Sequence, residues 1–247
     1  MLPRLRQAVA DFSLLLTKGY ADKSALKLVG DRFNLTQRQR LAVMRAACSD
    51  QQLQGRLERQ VPLEALAGQP LAIDGYNLLI TIEAALSGGL IFKGRDGCFR
   101  DLASIHGTYR KVEETIPAVQ LIGDFLTEIA VGGVRVKPDV QRPFGPGPSS
   151  NHGQDARDTN APQVLWLLDS PVSNSGRLKT LLGELARVHG WPWEIRLTLS
   201  PDAELSKTEE IVVSTDSVIL DACPRWTNLA AEIITRRLPT SIVIRLT

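Results

Sequence analysis

Two hydrophobic rhythms divide this chain. Up to about residue 60, apolar positions recur every three to four residues, the spacing of amphipathic helices. From about residue 70, short unbroken apolar runs alternate with helical ones, the signature of strands buried on both faces and joined by helices. In the first part, Ser24 is placed to cap a helix over ALKLVGDRF. Thr36 with Gln39, and Ser49 with Gln52, have the spacing of capping boxes ahead of RQRLAVMRAAC and LQGRLERQ. Leu41, Met44, Ala47 and Cys48 form the expected buried stripe. Residues 1–62 thus read as a small all-helical domain.

Residues 68–247 read as an α/β domain with a parallel sheet and helices on both faces. The pattern predicts a strand over Leu71–Ile73 ending at Asp74-Gly75, then a helix over Tyr76–Leu86. FKGRDGCFRD reads as a loop, with Asp101 capping a helix over LASIHGTYR. A helix is expected over Pro117–Ala130 and a strand over Val134–Lys137. Residues 138–162, rich in Pro, Gly, Ser and Asn, read as a long loop carrying Arg142, His152 and Arg157. Beyond it come the strand VLWLLD, the helix RLKTLLGELARVHG with Leu178, Leu181, Leu182 and Leu185 inward, and the strand WEIRLTL. A short acidic helix over 202–208, the strand EIVVSTDS, a helix over Trp226–Arg237 and a last strand SIVIRL complete the pattern.

Composition adds little about partners. The 247 residues are 43% hydrophobic, enough for a substantial core, and 29 Lys and Arg balance 27 Asp and Glu to a formal charge of +2. Three scattered cysteines, Cys48, Cys98 and Cys223, make no zinc motif and suit a reducing compartment. No apolar run approaches the roughly 20 residues that cross a bilayer, and the N-terminus lacks a signal-peptide core, so the expected setting is cytoplasmic, without a membrane. Arg32, Arg38, Arg40, Arg45, Arg56 and Arg59 crowd the helical part, either as a solvated face or as a phosphate-contacting one.

The chemistry lies at strand ends. Three apolar runs terminate in aspartate: LAID at Asp74, VLWLLD at Asp169 and IVVSTD at Asp216. In open parallel sheets ligands collect beyond these carboxyl ends. If the strands are neighbours, the carboxylates converge and call for a divalent cation, magnesium or manganese. An aspartate after a strand is otherwise a plain loop opener. Asn77 sits one helical turn beyond Asp74, to orient it, meet a phosphate or cap the helix. Ser170, Ser173, Asn174 and Ser175 after Asp169, and Thr215 and Ser217 around Asp216, are candidate phosphate contacts as well as candidate caps. Arg95 and Arg100 join them as candidate substrate contacts, and Asp221 as a further acidic residue. No GxGxxG, GxxxxGK or GxSxG motif is present, and His106, His152 and His189 lack partners at metal-ligand spacing.

AIDGYNLLI, with Asp74 and Asn77, resembles the opening strand and helix of the NYN branch of the PIN-like ribonuclease superfamily. VVSTDSVILD, with Asp216 and Asp221, resembles its later acidic motif. With LLDSPVSNSG and SALKLVGDRFNLTQRQR they also resemble a prokaryotic family of unknown function in which a helical domain precedes a PIN-like one. The resemblance implies a Rossmann-like, PIN-like sheet and cleavage of RNA phosphodiesters with Mg2+ or Mn2+. Asp74, Asp216 and Asp221 would be metal ligands, and Asn77 a catalytic residue. Asp169 would replace the middle ligand, since Glu83, in the first α/β helix, is a poor substitute. The helical domain would position RNA or form a homodimer. Two other readings stay open: a binding module with a degenerate site, and a phosphatase, which the absence of a DxD motif at Asp74 disfavours.

Overall fold

The computed structural model describes residues 1–102, 109, 111–129 and 164–247. The anticipated strand over Val134–Lys137, most of the helix after Asp101, His106 and the 138–162 loop with Arg142, His152 and Arg157 lie outside the described residues.

Four helices open the chain: α1 (Leu2–Thr17), α2 (Asp22–Arg32), α3 (Gln37–Ala46) and α4 (Asp50–Arg59). The Thr36/Gln39 and Ser49/Gln52 capping boxes form at the starts of α3 and α4, each satisfying two backbone N–H groups that a helix end leaves unpaired. Helix α2 begins earlier than Ser24, at Asp22, with Ala21 in the cap position. Of the expected stripe, Ala47 and Cys48 are buried, Leu41 is half-buried and Met44 is 44% exposed, while Ala42, Val43 and Ala46 form the buried face of α3. Small residues let α3 pack closely on Leu5, Val9 and Phe12 of α1, and the larger aliphatic groups are rotated outward.

A parallel five-stranded sheet forms the centre of the α/β part: β1 (Leu71–Asp74), β4 (Val164–Asp169), β5 (Trp193–Thr198), β6 (Ile211–Val213) and β7 (Trp226–Thr227), in the order β5-β4-β1-β6-β7. Alternate side chains enter opposite cores, as a period of two requires. Leu71 and Ile73, Val164, Trp166 and Leu168, and Ile211 and Val213 face one core, built with α5 (Gly75–Leu86), α6 (Thr115–Glu128), α7 (Ser175–His189) and α10 (Leu229–Arg237). Ala72, Leu167 and Val212 face the other, covered by α8 (Pro201–Leu205) and α9 (Ser217–Ala222). A mixed α/β fold with a parallel sheet and helices on both faces is therefore present.

Three local expectations are corrected. FKGRDGCFRD is not a plain loop but most of an antiparallel hairpin, β2 (Ile91–Lys93) with β3 (Phe99–Arg100). SIVIRL supplies β8 (Val243–Arg245), which pairs with β2 in a separate three-stranded sheet rather than extending the main one. Trp226 begins a short strand, and the helix expected there starts only at Leu229. The small sheet joins the helical part to the rest: Phe92 and Leu246 are buried in the α1–α3 core.

Candidate functional site

Strand order fixes where a site belongs. From β1 the chain crosses to β4 and β5 on one side, then returns to β6 on the other, so the direction of winding reverses between β1 and β6. The crevice outside such a reversal is where ligands bind in open parallel sheets. Asp74 ends β1 there, and Ser214, Thr215 and Asp216 follow β6.

Asp74 is 8% exposed and accepts a hydrogen bond from Ser214 Oγ at 2.8 Å. The Asp216 N–H donates to the same hydroxyl at 3.0 Å, and Asp216 caps α9 by accepting from the Val218 N–H at 2.8 Å. Burial, reinforced by the charges of Asp216 and Asp202, pushes the Asp74 carboxyl up to about 7, against the Ser214 hydrogen bond, which favours the anion. Burial and the Asp202 charge also raise Asp169, at the end of β4. Asp202, in the first turn of α8, is raised by burial and by Asp216. Four carboxylates therefore feel one another along this edge of the sheet. Among the described residues, no three His, Cys, Asp or Glu side chains stand together as a ready-made metal ligand set.

Asn77 holds the crevice together. Its Oδ1 accepts from the N–H and from the hydroxyl of Thr215, at 2.8 and 2.9 Å, pinning the β6–α9 loop to α5. The close approach of α5 to the sheet depends on Gly75. A Cβ there would lie 2.5 Å from Leu168 Cδ2 and 2.9 Å from the Leu167 carbonyl oxygen.

The other sequence candidates are placed elsewhere. Asp221 gives one carboxylate oxygen to Arg56 Nε at 2.7 Å and the other to Gln52 Nε2 at 2.7 Å, so it ties α9 to α4. Arg100 is buried: Nε donates to the Thr215 carbonyl at 2.7 Å, and both terminal nitrogens grip Asp96. Arg95 donates to the Cys48 carbonyl and to Asp50 at 2.9 and 2.5 Å. The Ser175 hydroxyl is buried against the Asp169 and Val172 carbonyls and Tyr76. Asn174 donates to the Tyr109 carbonyl, and the Ser173 carbonyl accepts from the Tyr109 N–H. Ser170 is exposed beside β5, where its N–H donates to the Thr198 carbonyl. Ser217 opens α9, its carbonyl accepting from Arg56. Glu83 accepts from Tyr109 and Thr115 in a buried cluster of its own.

Several arginines of the helical part are engaged within the protein. Arg56 is 1% exposed, bound to Asp96 and Asp221, while Arg40 and Arg59 donate to backbone carbonyls. Sequence offered Arg56 and Arg100 as phosphate or substrate contacts, whereas in the fold both bind Asp96; it did not point to Asp202. Asp202 stands beyond WEIRLTL, after Ser200 and Pro201 and inside α8, so the strand-end pattern of the other aspartates does not reach it. A cavity of about 500 Å3 opens onto this corner. Asp74, Asn77, Thr215 and Asp216 line one side, and residues of α1, α3 and α4 line the other.

The family described as Domain of unknown function (DUF5616) matches residues 63–141 and 152–232, and Protein of unknown function (DUF434) matches residues 4–59. The chain belongs to the DUF5616 family. It is also similar to "Uncharacterized protein MJ0935" of Methanocaldococcus jannaschii, at 26% identity over 216 residues, covering 87% of this chain and 88% of that protein. No solved structure matches. The DUF5616 match takes in Asp74, Asn77, Asp169, Asp202 and Asp216, and the DUF434 match takes in Arg56.

Proposed function

We propose that the chain is a divalent-metal-dependent ribonuclease whose working corner is Asp74, with Asp216 and Asp202 beside it, on a Rossmann-like, PIN-like sheet. The observation that carries this reading is the position and state of Asp74. It is a buried carboxyl at the end of the central strand, at the winding reversal, pushed up to about 7 by burial and by two neighbouring acids. Such a group gains from a cation that offsets the mutual repulsion.

The residues fit that cation in kind. The donors at the corner are oxygens, as Mg2+ and Mn2+ prefer, and Mg2+ commonly keeps several waters while taking only one or two carboxylates. Asp74 and Asp216 would hold it, with Asp202 adding negative potential. Bound there, the ion would supply activation of water and neutralisation of charge on the phosphate. The chain's own groups do the rest. Ser214 orients the Asp74 carboxylate through its hydrogen bond. Asn77 fixes the loop that carries Asp216. The Arg100 guanidinium, clamped on Asp96, holds that loop from behind through the Thr215 carbonyl.

The test is incubation of a mixed pool of structured and single-stranded RNAs with Mn2+ or Mg2+, comparing wild type with Asp74→Asn. Metal-dependent cleavage lost in the variant is the expected result. Cleavage that persists in the folded variant removes Asp74 from the chemistry. Phosphate released from small phosphomonoesters, with RNA left intact, replaces the reading with a phosphatase.

A further inference from the structure

The cavity facing Asp74 has a wall that carboxylate chemistry does not use. Leu16 of α1 with Leu41 and Met44 of α3 form it, and Ile80 of α5 and Val218 of α9 stand on the side of the α/β part. Met44 is 44% exposed and Val218 67% exposed. Single exposed aliphatic residues are ordinary. These, however, belong to one concave surface, and α3 has turned its larger side chains toward it while burying Ala42, Val43 and Ala46 behind. Leu41, Met44 and Val218 thus line the same cavity as Asp74, Asn77, Thr215 and Asp216.

The combination of an aliphatic wall and a few convergent polar groups is that of a small-molecule subsite. Gln52 is engaged by Ser49 and Asp221, and the Thr215 hydroxyl by Asn77 Oδ1, so the groups that suit the edge of a heteroaromatic ring are the Ser217 hydroxyl and the Asn77 amide nitrogen, in a lining that also includes the charged Asp22, Arg45, Arg56, Arg100 and Asp101. We propose that this wall is a nucleobase subsite, in which Leu41 and Met44 pack on the face of one unpaired base while the adjoining sugar–phosphate lies along the Asp74–Asp216 corner. The inference rests on the ribonuclease reading and extends it, because it makes the helical part a component of the substrate site. A cavity of about 500 Å3 accommodates a single nucleotide but not a stacked duplex. A base reaches this wall only when it is out of a helical stack. Aliphatic packing on a ring face reads no base identity, so the subsite favours any exposed base over none.

The experiment measures fluorescence anisotropy of a short labelled single-stranded RNA and of a base-free sugar–phosphate chain of the same length, with and without Mn2+. The full chain is used as wild type, as Leu41→Ser/Met44→Ser and as Met44→Leu. Wild type is expected to bind the RNA about tenfold more tightly than the base-free chain. The double variant loses that difference and keeps its affinity for the base-free chain, while Met44→Leu, which preserves an apolar wall, retains it. Equal binding of both ligands by wild type overturns the subsite, as does a double variant that still discriminates. Discrimination by a protein that cleaves no RNA keeps the subsite and rejects the nuclease reading. Binding of neither ligand overturns both.

Discussion

Arg56, on the last helix of the bundle, lies 2.6 Å from Asp96 in the β2–β3 turn, and both side chains are almost wholly buried. The same guanidinium reaches Asp221 at 2.7 Å, and Asp96 is gripped again by Arg100 at 2.6 Å. One arginine therefore joins α4, the hairpin and α9, and through Arg100 it supports the loop beside Asp74. Removing one partner of a buried pair leaves uncompensated charge. Arg56→Ala is expected to cost about 3–5 kcal/mol and to lower Tm by roughly 10 °C. Arg56→Lys recovers little, because a lysine cannot donate in two directions from a planar fork. Thermal melting of the three proteins checks this.

The same cluster has an acid dependence of defined sign. Despite burial, the Arg100 and Arg56 guanidinium groups hold the Asp96 carboxyl well below the usual carboxylate range. A depressed carboxyl contributes stability above its unfolded pKa, and that stability is lost as pH falls toward the depressed value. Asp96→Asn is expected to lower stability at pH 7, with the gap from wild type narrowing as pH drops below about 4. Denaturant titrations across that range measure it.

Asp74 has the opposite sign. Its carboxyl is raised from 3.8 to about 7. The neutral form therefore contributes stability that is full below the unfolded pKa and is lost as pH rises through about 7. Asp74→Asn, which keeps an acceptor for Ser214 and removes the charge, is expected to be more stable than wild type at pH 8 by on the order of 2 kcal/mol. At pH 4 the two should melt together. Such a gain on deleting a charge is the expected cost of holding a carboxylate in a functional crevice.

At Gly75 two effects of similar kind compete. Replacing a helical glycine by alanine usually gains up to about 1 kcal/mol. Here the new methyl would press on the Leu167 carbonyl at 2.9 Å and on Leu168 at 2.5 Å, and a strand backbone yields little. Overpacking costs about 1–3 kcal/mol, so the net effect of Gly75→Ala is destabilising. A lowered denaturation midpoint with an unchanged slope is the expected reading.

These sites differ in how far the sequence announced them. The strand-end positions of Asp74 and Asp169 were legible because LAID and VLWLLD are unbroken apolar runs, although an aspartate in that position is equally a plain loop opener. Their adjacency was not, since β1 meets β4 only after 89 residues of intervening chain. Arg56 read as a surface residue of a polar helix. Its partners Asp96 and Asp221 stand 40 and 165 positions away, and no local pattern points to either. Leu41 and Met44 read as core because helical spacing marks a face without saying what covers it. In the fold, the smaller neighbours Ala42 and Ala46 took the tight packing against α1. FKGRDGCFRD looked like a loop because its two hairpin strands are only three and two residues long, too short for alternation to register.

Whether the Asp74 corner takes a divalent cation is decided by Mn2+ binding followed by electron paramagnetic resonance. The wild-type protein is expected to bind Mn2+ more tightly at pH 8 than at pH 6, as Asp74 loses its proton, and Asp74→Asn, still folded, to lack the site. Equal Mn2+ binding by both proteins, or none by the folded wild type at millimolar metal, would contradict it.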